Sequence, residues 1–488
     1  YSSGIGGGGF WLLHRQADGF QTMIDGRERA PLAADRDLYV DEQGKVIPGL
    51  SVNGPLSAGI PGEPAALVHI SEKYGKLPLK KVLAPAIEAA RDGFPIDEHY
   101  RRMALWRLKL LRDDPAANAQ FLVDGEIPQA GYILRQLDLA KTLQALGDHG
   151  REGFYAGEVA DKLIAGVQAA GGIWTQRDLD AYKVVEREPI RGRYRGMDIV
   201  TAAPPSSGGV VLVSMLNILS RFDLAALPPL TRKHLIIEAM RRAYWDRAKY
   251  LGDPDFVQMP IERLTHPFYA AGLARDIEQD RATPSIKDQT PKASEGNDTT
   301  HFSIIDRYGN RVAATLSINY PFGSCFVAPG TGVLLNDEMD DFSAQPGVPN
   351  VYGLIGGEAN AIAPGKRMLS SMTPTFVESE QGVAVLGTPG GSRIITMVLH
   401  AILSLAEGEA PDAWVKVPRF HHQYLPDQVQ FEPDALSELE QQQLAAMGHQ
   451  LKPLGRTYGN MQALYWNKQT GKVSAASDPR GIGRAESR

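Results

Sequence analysis

Residues 297–324 read NDTTHFSIIDRYGNRVAATLSINYPFGS. Two apolar, β-branched runs, Thr300 to Ile305 and Val312 to Ser317, flank the turn-forming RYGN at 307–310, and this spacing predicts a β-hairpin. A turn centred between Tyr308 and Gly309 places Thr299 opposite Ile318 and diagonal to Ser317 and Asn319. Two hydroxyls and an amide then meet at one end of the hairpin. Such groups at strand ends are ordinarily structural, but a second stretch gives them weight. GTPGGSR at 387–393 follows the apolar run Val383 to Leu386 and precedes an apolar helix that starts at Ile394. A strand–Gly-Gly–helix junction offers unpaired backbone N–H groups, backed by the helix dipole, to a nearby oxyanion.

Upstream of the hairpin, Thr283 to Asp298 (TPSIKDQTPKASEGND) has almost no large apolar residue and reads as an exposed, mobile segment. Before it the chain reads mostly as helices. Leu79 to Asp92 has helical apolar spacing and ends at Gly93, a C-cap residue. Leu137 to Leu146, Val159 to Ala170 and Leu230 to Leu251 follow the same pattern, Thr175 with Asp178 resembles an N-cap, and PPSSGG at 204–209 feeds a helix from Val210 to Leu219. After the hairpin come strands at Ala384 to Leu386, Val429 to Phe431, Met461 to Trp466 and Val473 to Ala476. Helices recur at Ile394 to Leu405 and Asp434 to Met447. These alternating blocks imply α/β or α+β layering, without internal repeats.

A length of 488 residues would ordinarily suggest about three domains. Charged residues make up 22% of the chain and the net charge is only −6, which argues against a nucleic-acid or membrane-surface partner. Cys325 is the single cysteine, so neither an internal disulfide nor a cysteine-based zinc site can form. No apolar run reaches the ~20 residues of a membrane span; the nearest, Ile394 to Ala406, is interrupted by His400. The chain opens at Tyr1 on YSSGIGGGGF, from which we expect that a leader or a longer N-terminal region precedes it. Nucleophile-elbow, phosphate-loop and zinc-helix motifs are absent. The glycines at 6–9 lack a dinucleotide-binding context and read as a tightly packed backbone turn. His421 and His422 are neighbours pointing to opposite faces of a strand, and Asp340 and Asp341 are likewise adjacent, so neither pair makes a metal site.

The hairpin stretch, GVLLNDEMDDFS, PGVPNVYG, SSMTPT, GTPGGSRIIT and APDAWVKVPRFHHQYLPD, with GIGGGGF, IDGRERAP and YLGDPDFV before them, resemble the γ-glutamyltranspeptidase family in order and across essentially the whole chain. The resemblance implies an α+β fold, the four-layer αββα sandwich of the N-terminal nucleophile hydrolases. It also implies self-cleavage before Thr299, giving a large subunit of residues 1–298 and a small subunit of 299–488 that share one structural domain. On this resemblance Thr299 is the nucleophile and Ser317, where many members carry Thr, supports it. Gly390 and Gly391 match the oxyanion hole. Arg27, Ser370 and Ser371 match the binders of the substrate α-carboxylate, and Asn319, Glu338 and Asp341 the binders of its amino group. Glu338 stands where some members have Gln. Tyr352 gates the pocket from the lid loop 346–353. The implied activity is γ-glutamyl transfer from glutathione and related donors to water, an amino acid or a short peptide, without metal or organic cofactor and with a periplasmic or secreted location. The alternative within the same fold is a cephalosporin or glutaryl acylase; a catalytically silent binding protein is the reading of another class.

Overall fold

The computed structural model describes residues 1–285, 299–345 and 347–487. Eleven strands build its two main sheets: β1 (Gly8–Arg15), β2 (Phe20–Gly26), β3 (Val185–Arg187), β4 (Ile190–Tyr194), β5 (Met197–Thr201), β6 (Thr300–Ile305), β7 (Arg311–Ser317), β8 (Thr375–Glu378), β9 (Gly382–Gly387), β10 (Gln462–Asn467) and β11 (Val473–Ser477). The first sheet has the order β3-β2-β1-β7-β6 and the second β11-β10-β9-β8-β5-β4. All their pairings are antiparallel.

Alternation along the strands shows how the layers stack. Phe10 and Leu12 of β1 pack with Phe376, Val383 and Val385 of the second sheet. The intervening Trp11 and Leu13 face the other way, onto Ala66 of helix α1 (Glu63–Lys73). In β9, Ala384 and Leu386 point away from the first sheet. They meet helices α2 (Gly208–Leu219), α3 (Pro229–Tyr250) and α4 (Ile394–Ala406). The order is therefore helix, sheet, sheet, helix, the expected αββα sandwich. A register slip of one residue would exchange these two apolar sets, each side chain being worth about 1.5–3 kcal/mol when buried.

Several elements depart from the sequence reading. The N-terminal part supplies five strands to the two main sheets as well as helices. The glycines at 6–9 lead into β1, and their value is closeness of approach: a Cβ on Gly7 would lie 2.1 Å from the Ser317 carbonyl oxygen, and one on Gly8 2.3 Å from that of Gly26. The hairpin turn is also shorter than symmetry suggested. Gly309, at φ 87°, takes the left-handed position after Arg307 and Tyr308, so Ile305 pairs with Arg311 and Thr300 with Leu316. Thr299 thus falls level with Ser317 rather than Ile318. Finally, the exposed segment does not begin at Thr283. Ser285 is buried, its N–H donating to Asp427 at 2.8 Å and its hydroxyl accepting from Arg241 at 2.8 Å. The rest of that segment lies outside the described residues.

Candidate active site

The hairpin brings Thr299 to the wall of a cleft also lined by Arg27, Ser317, Asn319, Glu338, Asp341, Tyr352, Ser370, Ser371 and Gly391. Of the residues expected from sequence, only Gly390 sits one position behind the lining. The Thr299 and Ser317 hydroxyls are 3.2 Å apart, and Ser317 Oγ accepts the Asn319 N–H at 2.8 Å. Thr299 has φ 111°, a region that a β-branched residue occupies only under strain of about 1–3 kcal/mol. That torsion is defined by the bond to the preceding residue, so cutting the chain there would release it.

Facing the hydroxyls is a buried charge cluster. Arg27 leaves the end of β2 with 1% exposure. It donates to Asp341 at 2.6 Å, contacts Glu338 at 2.8 Å and Glu28 at 3.4 Å, and is fixed by the Met368 carbonyl at 3.2 Å. Burial pushes the Glu338 carboxyl above its ordinary range, with Arg27 opposing the shift. The Glu28 carboxyl is raised as well, by burial and by Glu338. One oxygen of each, Glu28 Oε1 and Glu338 Oε1, is buried without a hydrogen-bond partner. Asn319 commits its Nδ2 to the Asp337 carbonyl at 3.0 Å, which leaves its amide oxygen as an acceptor. Asp340 turns away, accepting from Ser51 at 2.6 Å and from the Val351 N–H at 2.8 Å, as expected for a neighbour that does not pair with Asp341.

On the opposite wall, Gly390 (φ 139°) and Gly391 (φ 57°) adopt conformations that favour glycine. A Cβ on Gly391 would lie 2.6 Å from the Tyr352 ring. The turn runs directly into α4, so the two amides stand at the positive end of a 13-residue helix. Among the described residues neither N–H donates to a protein group. Tyr352 closes the top: its hydroxyl donates to the Asn319 carbonyl at 3.2 Å, and Asn350 donates to Asp341 at 3.2 Å.

Sequence reasoning missed Arg247 and Ser207. Arg247 donates to Ser207 Oγ at 2.9 Å and to Ser371 Oγ at 3.3 Å. Its signal was a charge on an apolar helical stripe: Met240, Ala243 and Tyr244 share its face of α3 and are buried with it. His301 of the TTH run is structural. Burial lowers its pKa to about 3, and its ring bonds Thr315 at 2.8 Å and Ser303 at 3.1 Å. Cys325 is buried at 3.1 Å from Arg107, with its thiol pushed up to about 11 by burial. Among the described residues, His234, Glu238 and His449 come close enough to share a cation. Those donors are already used. Glu238 binds Arg241 and Arg242, and the two imidazoles hydrogen-bond each other at 2.8 Å.

Comparison with known proteins shows the family. The family model described as gamma-glutamyltranspeptidase matches residues 1–487. The chain is 46% identical to the glutathione hydrolase proenzyme of Pseudomonas sp. (strain A14), covering 91% of this chain and 78% of that protein. It is 42% identical to the glutathione hydrolase proenzyme of Escherichia coli (strain K12), covering 98% and 83%. The crystal structure of cephalosporin acylase from Bacillus halodurans superposes with a TM-score of 0.86 at 27% identity, covering 99% of this chain and 88% of that one. With the match spanning both sheets and every residue of the cleft, the chain belongs to the gamma-glutamyltranspeptidase family.

Proposed function

We propose that this protein is a self-processing γ-glutamyltransferase and glutathione hydrolase, with Thr299 as its nucleophile. The observation that carries the proposal is the pairing in one cleft of the Thr299 hydroxyl with Arg27, Glu338 and Asp341. A γ-glutamyl donor ends in a zwitterionic amino-acid head. Its carboxylate suits Arg27 and the hydroxyls of Ser370 and Ser371, and its ammonium suits Asn319, Glu338 and Asp341. A glutaryl chain has no ammonium, so it would gain nothing from Asp341 and Glu338, whose negative charge exceeds what Arg27 alone neutralises. This disfavours the acylase reading despite the shared fold.

In the precursor, Thr299 Oγ1 attacks the carbonyl of Asp298, the peptide nitrogen leaves as the Thr299 amine, and water hydrolyses the resulting ester. The two subunits, 1–298 and 299–488, then remain interleaved, because β1 pairs with β7 and β5 with β8. The freed α-amine, with an ordinary pKa of about 8, takes the Oγ1 proton as Oγ1 attacks the γ-carbonyl. The Gly390 and Gly391 amides receive the oxyanion. The leaving amine departs with the proton, and water or an acceptor amine resolves the γ-glutamyl ester. Tyr352 swings aside to admit the donor. No step requires a metal or an organic cofactor. No helix of the described residues is long and apolar enough to cross a membrane. The proposed location, periplasmic or secreted, rests on the family. Release of a chromogenic anilide from its γ-glutamyl derivative, stimulated by a dipeptide acceptor, tests the activity; turnover of glutaryl but not γ-glutamyl anilides would contradict it.

A further inference from the structure

Arg247 lies behind the Ser370–Ser371 wall, on the buried face of α3. Among the described residues it forms no ion pair; its side-chain partners are the hydroxyls of Ser207 and Ser371, and Asp341 acts on it only through space. A guanidinium buried on hydroxyls alone is costly unless an anion completes it. The front of the cleft shows the opposite state, with Arg27 already committed to Glu338 and Asp341.

The hydrogen bonds around Arg247 have a direction. Ser371 Oγ accepts from Arg247, and Ser370 Oγ accepts the Met372 N–H at 3.1 Å. Each serine hydroxyl therefore has an acceptor site filled and its proton free to donate into the cleft that both residues line. Ser207 Oγ accepts from Arg247 and donates to the Ser370 carbonyl at 2.7 Å, which fixes the backbone of the pair.

We infer that Arg247 is a positioning residue for recognition of the donor's α-carboxylate. It orients the Ser371 hydroxyl as a donor, locks Ser370 through Ser207, and supplies the second positive charge that the bound carboxylate completes. This inference rests on the γ-glutamyl reading above.

The test compares γ-glutamyl anilide with its analogue whose α-carboxylate is a carboxamide, using kcat/KM for hydrolysis. Wild type should strongly prefer the carboxylate donor. In Arg247→Gln that preference should shrink by roughly tenfold or more, through KM more than kcat. Arg247→Lys should recover part of it, and Ser371→Ala combined with Arg247→Gln should lose less than the two separate losses imply. Fragment sizes and Tm report whether each variant folds; should Arg247→Gln not fold, Arg247→Lys and Ser207→Ala carry the comparison. Equal loss for both donors, or an unchanged preference, would overturn the role of Arg247. A wild-type protein that ignores the difference between the donors would instead overturn the γ-glutamyl reading itself.

Discussion

Arg27 holds one positive charge against Glu338, Asp341 and Glu28, so it serves the folded state as well as the ligand. Truncating it would leave buried carboxylates unpaired, typically a loss of about 3–5 kcal/mol. Arg27→Lys keeps the charge and removes the fork. It should preserve the fold while reducing kcat/KM for γ-glutamyl donors by roughly 10- to 150-fold; unchanged kinetics would remove Arg27 from the site. Asp341→Asn keeps the shape of the partner and deletes its charge. The wild-type preference for γ-glutamyl over glutaryl amides, about 100-fold, should narrow in this variant, and an equal ratio in both proteins would contradict the assignment of Asp341 to the ammonium. At this scale the sequence was legible wherever a motif marked the residue. Arg247 and Ser207 were not, because their role comes from a helix and a loop meeting the Ser370–Ser371 wall from behind.

The hairpin and the lid belong to the scale of elements. The strand limits of β6 and the end of the helix Leu79–Asp92 at Gly93 were readable from alternation and capping. The register was off by one because Gly309 turns the chain in three residues, a choice made by backbone torsion rather than apolar pattern. β1 was passed over for a different reason. Strands such as β1, buried on both faces, read as continuous apolar runs without alternation. The loop proposed as the lid is tied down at Val351, whose N–H donates to the Asp340 carboxyl, a group pushed up to about 7 by burial. The unfolded carboxyl ionises near its ordinary 3.8 and the folded one near 7, so the folded state holds the extra proton between them. Stability from this group therefore falls as pH rises through that window. Asp340→Asn removes the dependence: its stability relative to wild type should rise from pH 4 to pH 7 and then level off. Denaturant titrations at several pH values check this, and a constant difference would show that Asp340 titrates normally.

Across the whole molecule, the two segments divided at Thr299 contribute strands to both sheets. A cut there should therefore leave one native particle that separates into two pieces only on denaturation. Thr299→Ala should remain a single inactive chain; two native-sized pieces from that variant would place the nucleophile elsewhere. The layer order was legible only through the family resemblance, since which apolar face meets which sheet depends on pairings between β1 and β7 that lie about 300 residues apart. The central claim is that Thr299 becomes an N-terminal residue and carries the γ-glutamyl group. It is tested most directly by incubating the mature protein with a γ-glutamyl donor, quenching in acid and locating the acyl group by mass spectrometry. The account predicts a fragment beginning at Thr299 with one glutamyl group esterified to that residue, absent in Thr299→Ala. A fragment with a different first residue, or a glutamyl group attached anywhere else, would contradict it.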